Sequence, residues 1–259
     1  MIDVSRTLRS AALAAGVTRT ACAALRRTKP GGAGRWERAN HAGRTVDLCA
    51  GPAVAAGVAA GALAAQPGTR AAALVATLAA GACGAYDDVA GAGDPRRGFR
   101  AHLGALRHGE LTSGAVKLFG ISAAGLVAGA LLKERSADKV LAGVVVAGTA
   151  HLVNLVDVRP GRAAQLALAL GAPGLVRGPL AAAPMGAAAA VLPDDLAERG
   201  MLGDAGAHAL GAALGVAIVA GNGRAGLVAH AAGLVAAAAY GDRVSALAKG
   251  TASEPTSPV

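Results

Sequence analysis

Residues 71–88 read AAALVATLAAGACGAYDD, an uncharged apolar run closed by two adjacent carboxylates, Asp87 and Asp88. A run of this kind is a helix that is buried or crosses a bilayer, because a helix satisfies its own backbone hydrogen bonds. The pattern recurs along the chain. Apolar segments at 8–25, 48–66, 71–86, 113–132, 140–157, 163–177, 179–193, 205–221 and 225–240 alternate with polar links. No stretch alternates with period two for long, so strands are not expected. The fold read from this pattern is all-α, a polytopic transmembrane helical bundle of about nine spans. Residues 1–250 form a single integral membrane domain. The Pro-, Ser- and Thr-rich TASEPTSPV at 251–259 is expected to be a disordered tail.

Composition points the same way. Hydrophobic residues make up 54% of the 259 and charged residues 16%, against about a quarter charged in soluble domains. The 38 glycines and abundant alanines suit close helix–helix packing in lipid and would permit a homodimer. The net charge is +9. A basic chain raises nucleic acid as a partner, but aromatic residues are only 2% and offer no platform for stacking bases, so nucleic-acid binding is excluded. Cys22, Cys49 and Cys83 show no metal spacing and read as small packing residues.

Nine alternating spans put the links 26–47, 87–112, 158–162, 194–204 and 241–259 on one side. Those links hold fifteen of the 25 Lys and Arg residues; eight belong to the other side, counting Arg9 and Arg177 at the span ends there, and Arg19 and Lys117 lie deeper inside spans. The excess marks the first side as cytoplasmic. Three acidic motifs fall at that same face: Asp87-Asp88, the pair Asn154 and Asp157 in NLVNLVD, and Asp204 in GMLGDAG. Carboxylates at a membrane face are costly unless they bind something, and three sets together suggest a divalent metal holding a phosphate substrate.

Each motif has a plainer reading. Asp87-Asp88 would also serve as a charged helix terminator. Asp204 would serve as an N-cap, or the glycines around it would let a substrate approach the helix N-terminus. Asn154 and Asp157, three apart, share a helix face, and Pro160 stops the helix after them. The basic link carrying Arg96, Arg97, Arg100, His102, Arg107 and His108 would attract a diphosphate, or simply obey the charge rule. Lys117, a turn inside its span, wants an anionic partner or snorkels to the surface. His208 reads as a packed histidine and Asp194-Asp195 as part of a solvated loop.

Taken in order, these motifs resemble the polyprenyl-phosphate N-acetylhexosamine-1-phosphate transferases, across about Asn40 to Gly211. GAYDD resembles the family's paired-aspartate motif. GFRAHLGAL with LTSGAVK resembles its basic loop and lysine. NLVNLVD resembles the start of NxxNxxDGxDG, GMLGDAGAHALG its GDxGSxxLG segment, and RANHAGRTVDLCAGP one of its cytoplasmic loops. The resemblance implies a multi-pass enzyme of the plasma membrane with a cytoplasmic active site, Mg²⁺ (or Mn²⁺), a UDP-sugar and polyprenyl phosphate. It implies transfer of a sugar 1-phosphate, an N-acetylhexosamine being expected, with release of UMP in cell-envelope polymer synthesis. By position, Asp87, Asp88 and Asp157 would be catalytic, with Asp157 and Asp88 on the metal. Lys117, Asn154, Asp204, Arg100 and His102 would bind substrate.

The chain departs from the family pattern at DVRPG, residues 157–161, where the family has DGxDG, and at Ala207, where Ser is usual. Arg159-Pro160-Gly161-Arg162 motivates a second reading, an inactive relative that binds a lipid carrier or an envelope protein. A transporter is the third.

Overall fold

Every apolar segment becomes helix, and the helices run α1 (Val4–Thr28), α2 (Ala50–Ala62), α3 (Pro67–Ala90), α4 (Gly98–Arg107), α5 (Ser113–Leu132), α6 (Ser136–Val156), α7 (Arg162–Leu175), α8 (Ala182–Leu196), α9 (Gly203–Gly221), α10 (Arg224–Ala239) and α11 (Gly241–Lys249). The structure, a computed structural model, describes residues 3–94, 96 and 98–250, the side chains of Phe99 and Arg100 excepted. The expected tail at 251–259 lies outside the described residues.

Local chemistry sets the helix boundaries. Asp3 accepts the Arg6 N–H at 2.9 Å to start α1, and Thr112 accepts the Ala115 N–H at 3.1 Å to start α5. Pro67 opens α3, where its missing N–H leaves nothing unpaired.

Four helices, α3, α5, α6 and α9, are long and apolar enough to cross a membrane. The count of nine is therefore not carried by length and composition. Helix α2 has 13 residues and α7 has 14, about 20 Å of helix each against a hydrocarbon layer of about 30 Å. Helix α1 has 25 residues but is broken up by arginines.

Two features differ from the sequence reading. Residues Glu37–Ala39 (β1) and Thr45–Asp47 (β2) form an antiparallel hairpin, with Arg38 opposite Val46. Strands of three residues are too short to show a period. The turn is built by Asn40, whose Oδ1 accepts the N–H of Ala42 and of Arg44, both at 2.9 Å. Helices α4 and α11 also lie in segments read as links.

Helix α9 is the axis of the bundle. It packs against α3, α6, α2 and α7. Leu210 and Leu214 join a core shared with α1, α2, α7 and α8. Val216 and Val219 join a second core with α3, α5, α6 and α10. The approach of α9 to α6 depends on a missing side chain: a Cβ at Gly211 would lie 2.5 Å from the Thr149 carbonyl oxygen. Gly211→Leu is expected to destabilise the fold by about 3 kcal/mol or more through overpacking, read as a lowered melting temperature in detergent. An unchanged melting temperature would show that α6 and α9 can separate freely.

Candidate functional site

One end of the bundle gathers the ends of α3, α6 and α8 with the starts of α5, α7 and α9. The three acidic motifs meet there. Lys117 Nζ, one turn into α5, forms ion pairs with Asp87 of α3 and Asp204 of α9. All three are well covered, with 19%, 17% and 27% of their side chains exposed. The buried lysine thus has the anionic partners its position demands, and it does not snorkel.

Asp88 points the other way from Asp87 and caps α9. Its Oδ1 accepts the Asp204 N–H and its Oδ2 the Ala205 N–H, each at 3.0 Å. The first turn of α9 has no cap from its own side chains, so Asp204 is not the N-cap that its position suggests. A carboxylate from another helix takes that place and meets the positive end of the helix dipole. Gly203 makes this possible. Its φ of +59° lies in the left-handed region, and a Cβ there would lie 3.0 Å from Asp88 Oδ2. The glycines of GMLGDAG therefore bring an internal anion to the helix terminus.

Asp157 follows the last residue of α6. Among the described residues its carboxylate has no hydrogen-bond or ion-pair partner. Its electrostatic neighbours are all acids: Asp195, Asp204 and Asp88. It lines a small cavity of about 120 Å³ with Asn40, His41, Arg159, Asp195 and Glu198.

A larger cavity of about 530 Å³ opens beside it. Helix α6 is its floor through Val144, Ala147, Gly148, His151 and Asn154; α5 and α10 form walls with Leu118, Ile121, Leu234 and Val235. The groove is apolar along most of its length and polar at one end, where Lys117, His102, His151, Asn154 and His208 converge. Val158 lines both cavities, so the groove and the acidic pocket adjoin.

His102 comes from α4, its Nδ1 lying 2.9 Å from Thr112 Oγ1. Gly114 leaves room for it, since a Cβ there would fall 2.3 Å from His102 Nε2. Arg100 lies in the same helix, but its side chain is outside the described residues, as is Arg97. His208 is buried, and its Nδ1 donates to the Asp204 carbonyl at 2.7 Å.

The structure thus brings together Asp87, Asp88, Lys117 and Asp204, with Asp157 and Asn154 beside them and His102 at the groove mouth. It also adds residues that the sequence reading passed over. His151 sits three before Asn154 on the same helix face, a spacing visible in HLVN. Arg38 of the hairpin donates to the Asp88 carbonyl. Asn40 and Arg44 both reach Glu198, and Met201 N–H donates to the Asp47 carbonyl at 2.9 Å, so the hairpin is pinned over the acidic end.

Asp194 and Asp195 are not a solvated loop. They form the last turn of α8. Asp194 pairs with Arg26 and Arg199. Asp195 is 5% exposed and accepts the Gly161 N–H at 3.0 Å. Burial pushes the Asp195 carboxyl up to about 6. A raised carboxyl favours the protonated folded state, so its contribution is full below the unfolded range near 4 and is lost as pH rises through about 6. Asp195→Asn keeps an acceptor for Gly161 and removes the ionisation. It is expected to raise stability by about 1–3 kcal/mol at pH 8 and to change little at pH 4, measured by thermal unfolding at the two pH values. A gain that does not grow with pH would contradict this account.

Among the described residues no three His, Cys, Asp or Glu groups are placed to hold a metal by themselves. Compared with known proteins, the chain matches no family model and no curated sequence.

Proposed function

We propose that the chain is a multi-pass plasma-membrane enzyme that transfers a sugar 1-phosphate from a UDP-sugar to polyprenyl phosphate at the cytoplasmic face, releasing UMP. The observation that carries this reading is the charge balance at the polar end of the groove. Asp87, Asp88 and Asp204 gather around one lysine, Lys117, and Asp157 lies near Asp88 and Asp204. Such a cluster repels a diphosphate unless a divalent cation enters with it.

The donors suit Mg²⁺ or Mn²⁺, which take carboxylate oxygens and complete their shells with water and substrate phosphate. Asp157, the carboxylate without a partner, would hold the ion, with Asp88 as second ligand through the lone pairs its two N–H bonds leave free. The bound ion would neutralise the diphosphate and polarise the phosphorus under attack.

The chain's own residues supply the rest. The apolar groove takes the polyprenyl tail and excludes water from it. Lys117 exchanges part of its pairing with Asp87 and Asp204 for the lipid phosphate and holds it at the groove mouth. His102 and Asn154 orient the phosphates from either side, and the resemblance adds Arg100 to the substrate-binding residues. An oxygen of the lipid phosphate forms a bond to the sugar-linked phosphorus, and the bond from that phosphorus to the bridging oxygen breaks. The bridging oxygen leaves with UMP. This is phosphoryl transfer by positioning and charge neutralisation.

A second reading, an inactive relative that binds the lipid carrier, is favoured by one feature. Arg159 stands beside Asp157 in the small cavity, at the point where DVRPG departs from the family pattern. UMP release by the purified chain separates the two. The assay supplies undecaprenyl phosphate, Mg²⁺ and a panel of UDP-sugars, and is repeated with EDTA. Metal- and lipid-dependent UMP is the expected result. Folded protein that binds the lipid and releases no UMP from any donor would establish the inactive relative.

A further inference from the structure

We propose that a cavity between α1 and α8 binds the phosphate headgroup of an anionic membrane lipid through Arg19, Arg26 and Arg27. The cavity measures about 350 Å³; Arg19, Ala23, Arg26 and Arg27 of α1 face Ala190 and Asp194 of α8 across it. Arg19 and Arg26 are seven residues apart, two helical turns, and so share a face. Guanidinium groups remain charged in any protein environment, and these three are incompletely matched.

Arg26 donates from Nε to Asp47 at 2.9 Å and from Nη1 to Asp194 at 2.6 Å. Its Nη2 is buried and has no partner among the described residues. Asp194 is itself shared with Arg199. Among the described residues Arg19 reaches only the Ala190 carbonyl, at 3.1 Å. Arg27 has no ion pair among the described residues. Asp195, also at the cavity wall, is turned to the Gly161 N–H. The wall therefore offers the guanidinium groups of Arg19 and Arg27 to an anion, with the unpaired Arg26 Nη2 buried behind them beside Gly200.

The position of Arg19 favours a lipid over a soluble phosphate. It lies nine residues before the last residue of α1, about 13 Å along the helix axis from that end. Toward its start α1 exposes the large apolar side chains Leu8 (64%) and Leu13 (48%). With Leu8 and Leu13 set in lipid, a soluble anion would have to leave water to reach Arg19. A lipid headgroup carries its own anchor into the apolar layer. The same pairing explains how a helix of 25 residues rich in arginine could sit against the bilayer, where an arginine needs an anionic partner. The inference does not depend on the transferase reading: Asp195 and Gly200 border both this cavity and the acidic pocket, but Arg19, Arg26 and Arg27 do not line that pocket.

The test is native mass spectrometry of the full chain, delipidated in detergent and titrated with phosphatidylglycerol or phosphatidylcholine, with and without millimolar inorganic phosphate. One phosphatidylglycerol is expected to bind at least about tenfold more tightly than phosphatidylcholine, undisturbed by phosphate. The double variant Arg19→Gln, Arg27→Gln should lose about tenfold of that affinity, while Arg26 is left intact because it holds the hairpin. Ala23→Trp, a substitution at an exposed position, should fill the cavity and cause the same loss with no change in charge. Equal binding of the two lipids would overturn the proposal, as would variants that bind like the parent. Displacement of phosphatidylglycerol by inorganic phosphate would make the site one for a free anion.

Discussion

Lys117→Met is expected to lower UMP release by at least about 1,000-fold, and to lower stability as well, because one side chain serves two purposes. In the folded protein its ammonium sits between Asp87 and Asp204. Removing it leaves two covered carboxylates facing each other without a cation. Breaking a pair of this kind costs about 3–5 kcal/mol when burial is complete, and somewhat less here because Asp204 keeps some exposure. In catalysis the same ammonium is assigned to the lipid phosphate, and among the described residues no other cation at the polar end of the groove pairs with carboxylates of both α3 and α9. The two effects can be separated. Adding Asp87→Asn and Asp204→Asn to Lys117→Met removes the unpaired charges, so the melting temperature should return toward that of the parent while UMP release stays low. Lys117→Arg keeps the charge but not the compact geometry, and should fall between. A triple variant that regains both stability and turnover would show that Lys117 is only a structural counterion. Lys117→Met retaining turnover within about tenfold of the parent would remove it from the phosphate site altogether.

Lys117 also marks how far the sequence could be read. An ammonium inside an apolar segment announces that carboxylates must come to it, and parity along the chain put Asp87 and Asp204 at its level. The helical segments were legible for the same reason, since a bundle of small apolar residues leaves a plain pattern of runs and breaks. What remained hidden depends on contacts distant in sequence. Asp88 reads as a helix terminator, and only the packing of α3 on α9 makes it the cap of a helix 116 residues later. Asp195 reads as loop because it follows Pro193 in a polar string, LPDDLAERG, yet α8 continues through the proline and buries it. The hairpin at 37–47 is held by Asn40, Arg44 and Glu198, and no local pattern encodes that meeting. The groove was illegible too. Its walls are ordinary leucines, valines and alanines of α5, α6 and α10, indistinguishable in sequence from residues that pack in the core.

Asp157→Asn should give the opposite profile from Lys117→Met: loss of function in a protein as stable as the parent. The reason is the isolation of this carboxylate. Asp88 holds the start of α9 and Asp87 shares Lys117, so replacing either disturbs the fold along with the site. Asp157 accepts no hydrogen bond among the described residues, and the charged groups that act on it are the acids Asp195, Asp204 and Asp88. Nothing in the folded chain would be lost with its charge, and repulsion from Asp88, Asp195 and Asp204 would be relieved. The melting temperature is therefore expected to stay the same or rise slightly, within about 1 kcal/mol of stability. Turnover should fall by at least about 1,000-fold, because the group that would hold the cation becomes a neutral amide. Mn²⁺ binding, followed by electron paramagnetic resonance without any substrate, should weaken in parallel, which ties the loss to the metal rather than to the nucleotide. Asp157→Asn that unfolds would show an unrecognised structural partner. A variant that binds Mn²⁺ and turns over like the parent would move the metal to Asp87 or Asp204, and with it the direction from which the lipid phosphate attacks.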